Sequence, residues 1–92
     1  MSHDTAPEPP RLTFPCDYPI KVMARAHPAL RAHVDAIVER HAGPIDLTTV
    51  VERPSAQHHF VGLTYVIRAR SEAQITELFQ ALKQVSEVLL VL

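Results

Sequence analysis

The sequence predicts an α+β fold in which two helices cover one face of a four-stranded antiparallel sheet. Apolar residues alternate at the spacing of a strand in some stretches and recur at the spacing of a helix in others. Prolines, a glycine and short polar turns separate these stretches. The resulting order is strand, helix, strand, strand, helix, strand, and 92 residues are enough for one such domain.

The first strand is expected to begin near Ile20, because Pro15 and Pro19 cannot donate a backbone hydrogen bond to a neighbouring strand. Apolar residues then alternate with residues such as Lys21 and Arg25, which is the period of a strand with one buried face. We therefore expect a domain over residues 14–92. The preceding residues 1–13 are rich in proline and polar side chains, and they are expected to form a flexible tail.

The first helix is expected to follow Pro28, since a proline is well accommodated in a first helical turn. It should end at Gly43, which can take a left-handed cap conformation before Pro44. Its polar residues fall mostly on the side away from the apolar stripe, and Asp35 is among them. The stripe comprises Leu30, Val34, Ile37, Val38 and His41.

A hairpin is expected next, with the polar stretch "PSAQHH" as its turn. Its first strand is short, covers residues 47–54, is rich in β-branched residues and closes at Pro54. Its second strand has the clearest alternation in the chain. One face of this strand comprises Val61, Leu63, Tyr65, Ile67 and Ala69.

Ser71 followed by Gln74 indicates the start of the second helix, because this pair can form a capping box. The closing "VLLVL" is too short for another helix and predicts a last strand. Right-handed crossovers then place the first and third strands in the centre, with the second and last strands at the edges. This is the ferredoxin-like arrangement. The apolar stripe of the second helix comprises Ile75, Leu78, Phe79 and Leu82.

Four segments resemble the YbeD-like family of small bacterial proteins: "FPCDYPIKVMARA", "VVERPSAQHHF", "LTYVIRARSEAQITELFQAL" and "VLLVL". The resemblance covers residues 12–92, and residues 14–23 are its most specific part. It implies a fold similar to ACT regulatory domains and a regulatory role in amino-acid or lipoate metabolism, and it transfers no catalytic or binding residue. The chain departs from similar sequences at Ala24, where glycine is frequent, and at Gln57 and His58, where the turn often carries "KG".

Composition excludes several classes of function. The formal net charge of −1 provides no broad basic field for a nucleic-acid backbone, and no apolar run is long enough to cross a membrane. We expect neither nucleic acid nor membrane as a partner. A single cysteine and an N-terminus without an apolar signal segment favour the cytoplasm.

Residues with catalytic or metal-binding chemistry do not form a recognisable site in the sequence. Asp17 next to Cys16 disfavours a thiolate, so Cys16 is expected to be structural. The six histidines lack the spacing of a metal site, and the chain contains no asparagine to position water as in an acylphosphatase. We therefore expect no enzyme activity, no metal and no cofactor.

Two hypotheses for function remain. The apolar residues left over after one core is built lie on strands, and this favours a regulatory or adaptor module that contacts a partner protein or forms a homodimer. The candidate partner surface comprises Met23, Phe60, Val66 and Leu90. The alternative is an ACT-like sensor that binds a small metabolite at a dimer interface, with Arg25 and His27 as candidate ligand contacts.

Overall fold

The computed structural model describes residues 12–92, so nearly all of the expected tail at residues 1–13 lies outside the described residues. The predicted element order is confirmed. The elements are β1 (Cys16–Arg25), α1 (Leu30–Ala42), a 3₁₀ turn (Leu47–Thr49), β2 (Val51–Pro54), β3 (Phe60–Ala69), α2 (Glu72–Lys83) and β4 (Val88–Val91).

The four strands form one antiparallel sheet in the order β2-β3-β1-β4, as predicted from the crossovers. The central pair is long, because β1 and β3 pair continuously from Cys16 opposite Ala69 to Arg25 opposite Phe60. The two edge strands contain only four residues each. The sheet is therefore a long two-stranded ladder with a short strand on either side.

The predicted start of β1 near Ile20 was wrong, since the strand begins at Cys16 and includes Pro19. Lys21 donates to the Leu92 carbonyl at 3.0 Å and accepts from the Leu92 amide at 2.8 Å. Backbone groups alternate in direction along a strand, so Pro19 presents its nitrogen to the same side, beyond the end of β4. The missing donor of Pro19 therefore costs the sheet no hydrogen bond.

The second strand is shorter than the predicted residues 47–54. Asp46 accepts hydrogen bonds from the hydroxyl and the backbone amide of Thr48, which lowers the pKa of the Asp46 carboxyl. These bonds cap a 3₁₀ turn over Leu47–Thr49, and the strand begins only at Val51. A local side-chain cap thus prevails over the β-branched composition of this stretch.

Gln74 connects the two helices. Its backbone amide donates to the Ser71 hydroxyl at 3.1 Å, as the predicted cap requires, while its side-chain oxygen accepts from the Arg70 amide. Its side-chain amide donates to the carbonyl of His41 at 2.9 Å, near the end of α1. Burial of this side chain is therefore matched by hydrogen bonds at both of its polar atoms.

The core lies between the helices and one face of the sheet. All five residues predicted for the inner face of β3 are buried, and Ala24 is fully buried opposite Val61. Phe79 is only partly buried at the edge of the core. The fully buried large side chains are Tyr65, Ile20, Leu63, Ile67, Leu78, Leu82, Val22, Val34 and Val38.

Asp35 is buried, contrary to its predicted place on the outer side of α1, because Tyr65 reaches it from the sheet. The Tyr65 hydroxyl donates to the Asp35 carboxylate, and Arg31 Nε lies 2.9 Å from both carboxylate oxygens. Arg31 also donates to Glu52 at 3.0 Å and to the Leu47 carbonyl at 3.1 Å. We call this the Tyr65–Asp35–Arg31 network, and it joins β3, α1 and the segment around β2.

The network shifts two pKa values upward. Burial, followed by the hydrogen bond to Asp35, raises the pKa of Tyr65 above its ordinary range. Burial acts to lower the pKa of Arg31, but the hydrogen bonds and charges of Asp35 and Glu52 outweigh it and raise that pKa. The tyrosine is therefore held neutral as a donor and the arginine is held charged.

Replacing Asp35 should destabilise the fold more than replacing Tyr65. Asp35→Ala leaves a buried hydroxyl without its acceptor and Arg31 without its main partner, so we expect the free energy of unfolding to fall by about 2–3 kcal/mol. Tyr65→Phe keeps the Arg31–Asp35 pair and should cost about 1 kcal/mol. Urea denaturation followed by circular dichroism measures both. The exposed Glu77→Ala is the control, and an equal loss for Asp35→Ala and Glu77→Ala would contradict this role.

The network also predicts a dependence of stability on alkaline pH. Because the pKa of Tyr65 is raised in the folded chain, its stabilisation is complete below the ordinary tyrosine pKa of about 10 and declines as the pH rises above it. The Tyr65→Phe chain lacks this contribution. The difference in unfolding free energy between the two chains should therefore shrink between neutral and strongly alkaline pH. Tyr18 is present in both chains and cancels, and a constant difference would refute the expectation.

Candidate functional site

Both helices lie on one face of the sheet, and within residues 12–92 the opposite face is the exposed one. We call this the open face. Alternation along each strand assigns its residues, because neighbours of buried positions point outward. The open face comprises Asp17, Pro19, Lys21, Met23, Arg25, Val51, Arg53, Phe60, Gly62, Thr64, Val66, Arg68, Leu90 and Leu92.

Two rows of side chains cross all four strands of the open face, as the strand register shows. Each row begins with a leucine on β4, and each ends on β2. One row comprises Leu90, Met23, Gly62 and Arg53, and the other comprises Leu92, Lys21, Thr64 and Val51. Residues far apart in the sequence thereby form one continuous surface.

The β4 side of this surface is apolar and exposed. The exposed fractions of Leu89, Leu90 and Leu92 are 52%, 49% and 59%. The register between β1 and β4 shifts after Met23, so Leu89 is an extra residue in a bulge beside Leu90. Three neighbouring leucines at a sheet edge are a feature that monomeric proteins usually avoid.

The four residues predicted as a partner surface all belong to the open face. Met23 and Leu90 are direct neighbours on adjacent strands. Phe60 begins β3 opposite Arg25, and Val66 lies farther along the same strand opposite Pro19. The structure therefore brings Met23 and Leu90 together and separates Phe60 from Val66, and a role for these residues in binding stays a prediction.

A hollow lies at Gly62, in the middle of the open face. It has a volume of about 410 Å³. A Cβ atom at Gly62 would lie 3.3 Å from the Met23 sulfur and 3.8 Å from Cε of Lys21, so both side chains pass close to the glycine. The residues that line the hollow are Lys21, Met23, Val51, Arg53, Gly62 and Thr64. We call it the Gly62 hollow.

The open face is basic, which the net charge of the chain did not indicate. It carries four basic side chains and one acidic side chain. The acidic one, Asp17, forms an ion pair with Arg68 at 3.3 Å across β1 and β3. Lys21, Arg25 and Arg53 form no ion pair with any residue in the described range 12–92. Sequence reasoning missed this patch because its members come from three strands.

A second concavity, the junction pocket, lies where β1 leads into α1. It has a volume of about 360 Å³ and is lined by His27, His58, Arg31 and Glu52 together with mainly apolar side chains. His27 Nδ1 accepts a hydrogen bond from the Ala29 amide at 3.1 Å. Arg25 does not line this pocket, because it lies on the open face, so the two predicted ligand contacts face different surfaces.

His58 bends the β2–β3 turn at this pocket. Its φ is 59°, in the left-handed region that glycine adopts most easily. At this position the chain carries a side chain that lines the junction pocket.

Within residues 12–92, no three or more His, Cys, Asp and Glu side chains are grouped closely enough to hold a metal ion. Neither helix of this range combines the length and the apolar character that a membrane span requires. Cys16 is half-buried and packs against the core.

Comparisons with known proteins identify relatives and similar folds. A family model described as "Protein of unknown function (DUF493)" matches residues 9–92. A UPF0250 protein of Hahella chejuensis is 38% identical, covering 97% of this chain and 98% of the relative. A UPF0250 protein of Paraburkholderia phytofirmans is 36% identical, covering 75% of this chain and 78% of the relative.

Two solved structures share the fold. Protein HP0495 of H. pylori has a TM-score of 0.75 at 17% identity and covers 98% of both chains. The ACT domain from GTP pyrophosphokinase of Chlorobium tepidum has a TM-score of 0.67 at 15% identity, covering 84% of this chain and 97% of that domain. The expected ACT-like fold is confirmed.

The two glycines of the chain should respond differently to alanine. Gly43 ends α1 with φ 82° and ψ −178°, a conformation almost restricted to glycine, so Gly43→Ala should cost about 1–3 kcal/mol. At Gly62 a new methyl group meets the flexible end of Met23, and the lower chain entropy of alanine offsets that contact. Gly62→Ala should therefore change the free energy of unfolding by less than about 1 kcal/mol.

Urea denaturation of the two single variants measures this difference. A larger loss for Gly62→Ala than for Gly43→Ala would show that the Met23 side chain cannot move aside at the Gly62 hollow.

Proposed function

The chain belongs to the DUF493 family, as its resemblance to YbeD-like proteins predicted, and we propose that it is a small non-enzymatic regulatory or adaptor module. It acts by protein–protein contact through the open face and the adjoining edge of β4. The exposure of Leu89, Leu90 and Leu92 at an unprotected sheet edge is the observation that carries this proposal.

The free energy available at this edge is sufficient for a specific contact. Full burial of one leucine side chain contributes about 1.5–3 kcal/mol, and each of these three still has about half of its surface to bury. β4 contains neither a charged residue nor a proline, the two features that most often prevent pairing at an edge. A partner that covers this edge therefore gains apolar contacts and meets neither a charged residue nor a proline within β4.

A contact role is also supported by the hydrogen bonds of the buried titratable groups, which leave them unavailable for catalysis. The Tyr65 hydroxyl donates a hydrogen bond to Asp35, and Arg31 donates another to the same carboxylate. A catalytic acid or base needs to reach a substrate, and these groups are committed to holding the fold.

A second candidate is an ACT-like sensor for a small metabolite, an amino acid or a lipoate-related compound, at a dimer interface. The junction pocket favours it, since His27 and His58 offer polar contacts beside an apolar wall. Arg25 lies on the other surface and would reach such a ligand only from a second copy of the chain.

Removing the apolar edge should abolish partner capture. The double variant Leu90→Ser with Leu92→Ser is compared with the wild-type chain, each tagged and used to capture proteins from a bacterial lysate. We expect recovery of the retained protein to fall at least tenfold, because about 2 kcal/mol of apolar contact is lost. Quantitative mass spectrometry measures recovery.

Leu47→Ser is the matched control, because Leu47 is 42% exposed but lies outside the open face. Equal recovery with the edge variant and the control would refute the contact proposal. A thermal-shift screen with amino acids and lipoyl compounds tests the second candidate in parallel. Saturable stabilisation of the wild-type chain, lost in His27→Ala, would favour the sensor.

A further inference from the structure

We propose that the open face binds an acidic amphipathic segment of another protein, in preference to a second copy of this chain. This inference rests on the proposed contact function and adds the chemistry of the partner. It follows from the distribution of charge over the two faces of the molecule.

Charge is strongly separated between the open face and the remainder of the chain. The sequence has nine Lys and Arg and ten Asp and Glu residues. Within residues 12–92 there are eight residues of each sign. Four of the basic and one of the acidic side chains lie on the open face, which leaves four basic and seven acidic residues for the rest of the described chain. An almost neutral chain therefore presents a positive sheet face, and an acidic partner complements it.

The same charges disfavour association with a second copy. Two open faces in contact would bring Lys21 and Arg53 of one copy, which have no ion-pair partner within residues 12–92, against those of the other. Like charges at an interface cost several kcal/mol. Pairing of β4 with a second β4 would lengthen the sheet and leave both basic faces uncovered. Neither dimer would both neutralise the basic open face and bury the leucines at the β4 edge.

The Gly62 hollow offers a defined place for a carboxylate. Lys21 and Arg53 line it from the two sides of Gly62, and the Thr64 hydroxyl adds a donor. Arginine and lysine bind carboxylates through charge-assisted hydrogen bonds, which are about twice as strong as neutral ones. The side chains of Met23 and Val51 supply apolar walls beside these donors.

The leucines lie at the β4 end of the two rows that cross the open face. Leu90 shares its row with Arg53 and Leu92 shares its row with Lys21, so cationic and apolar contacts are arranged across the strands. A segment that lies across the rows needs apolar side chains over the leucines at β4, and carboxylates over Lys21 on β1 and Arg53 on β2. An amphipathic acidic segment meets both requirements.

Single-stranded RNA fits this face less well. Base stacking on such a sheet needs aromatic side chains on the central strands. The central positions are occupied by Lys21, Met23, Gly62 and Thr64, and Phe60 lies at the end of β3. RNA is therefore the competing ligand that the experiment must reject.

The test uses three synthetic peptides of equal length and one unstructured RNA oligonucleotide, all fluorescently labelled. The first peptide is amphipathic with Glu and Leu, the second replaces Glu by Lys, and the third replaces Leu by Ser. Fluorescence anisotropy with the wild-type chain should show saturable binding of the Glu/Leu peptide alone. Its Kd should rise at least about fivefold between 0.05 and 0.5 M salt, because exposed charges are then screened.

Charge reversal identifies the contact. Lys21→Glu with Arg53→Glu should weaken binding of the Glu/Leu peptide at least about tenfold and create binding of the Lys/Leu peptide. Arg40→Glu with Lys83→Glu is the matched control, since it makes the same change of charge on exposed helix positions. The control should stay within about twofold of the wild type. Thermal melting of each variant confirms that it is folded.

The outcomes separate this inference from the proposed function. If Leu90→Ser with Leu92→Ser weakens binding but the charge reversal does not, the contact function stands and the acidic partner is wrong. If the Glu/Leu peptide binds and neither variant changes its binding, the contact does not use the open face or its edge and both are wrong. Three results would each overturn the acidic partner. They are binding of the RNA, absence of binding by the Glu/Leu peptide, and a wild-type dimer in sedimentation analysis that the leucine variant no longer forms.

Discussion

The carboxylate of Asp35 joins parts of the molecule that the sheet alone does not hold. β2 has only four residues, all of them exposed, and among residues 12–92 it pairs only with β3. Arg31 binds Asp35 on its own helix and reaches Glu52 on β2 and the Leu47 carbonyl before it. Tyr65 fixes the same carboxylate from the central sheet. Through Arg31, one buried acidic side chain therefore adds a connection between β2 and α1 to the pairing of β2 with β3.

The two edges of the sheet are built in opposite ways. β2 has Glu52, Arg53 and Pro54 in its four residues, and charge and proline both discourage pairing with another strand. β4 is apolar throughout and carries a bulge that leaves Leu89 and Leu90 exposed side by side. One edge is thus protected and the other is not. This contrast within one sheet favours a binding role for β4 over a general tolerance of exposed edges.

Sequence patterns predicted the elements well because their period depends on local geometry. The alternation in β3 and the cap at Ser71 are readable from neighbouring residues alone, and both are confirmed. Burial of Asp35 was not readable, because its partner Tyr65 is thirty positions away. Pro19 could be assigned to a strand only from the structure, because its nitrogen faces the β4 side at a point beyond the end of β4, where no hydrogen bond is needed. The basic open face required the register of three strands, which no local pattern contains.

Alternation on β2 connects the network to the proposed binding face. Glu52 points to the helix layer and binds Arg31, while the next residue, Arg53, points to the open face and lines the Gly62 hollow. Adjacent residues of a strand move together, because a single backbone carries both side chains. The hydrogen bond from Arg31 to Glu52 and the pairing of Arg53 with Gly62 therefore act on the same short stretch of backbone. In the proposed complex, a partner carboxylate would therefore approach a cation whose backbone is fixed by pairing with β3, while the exposed Arg53 side chain still loses conformational entropy on binding.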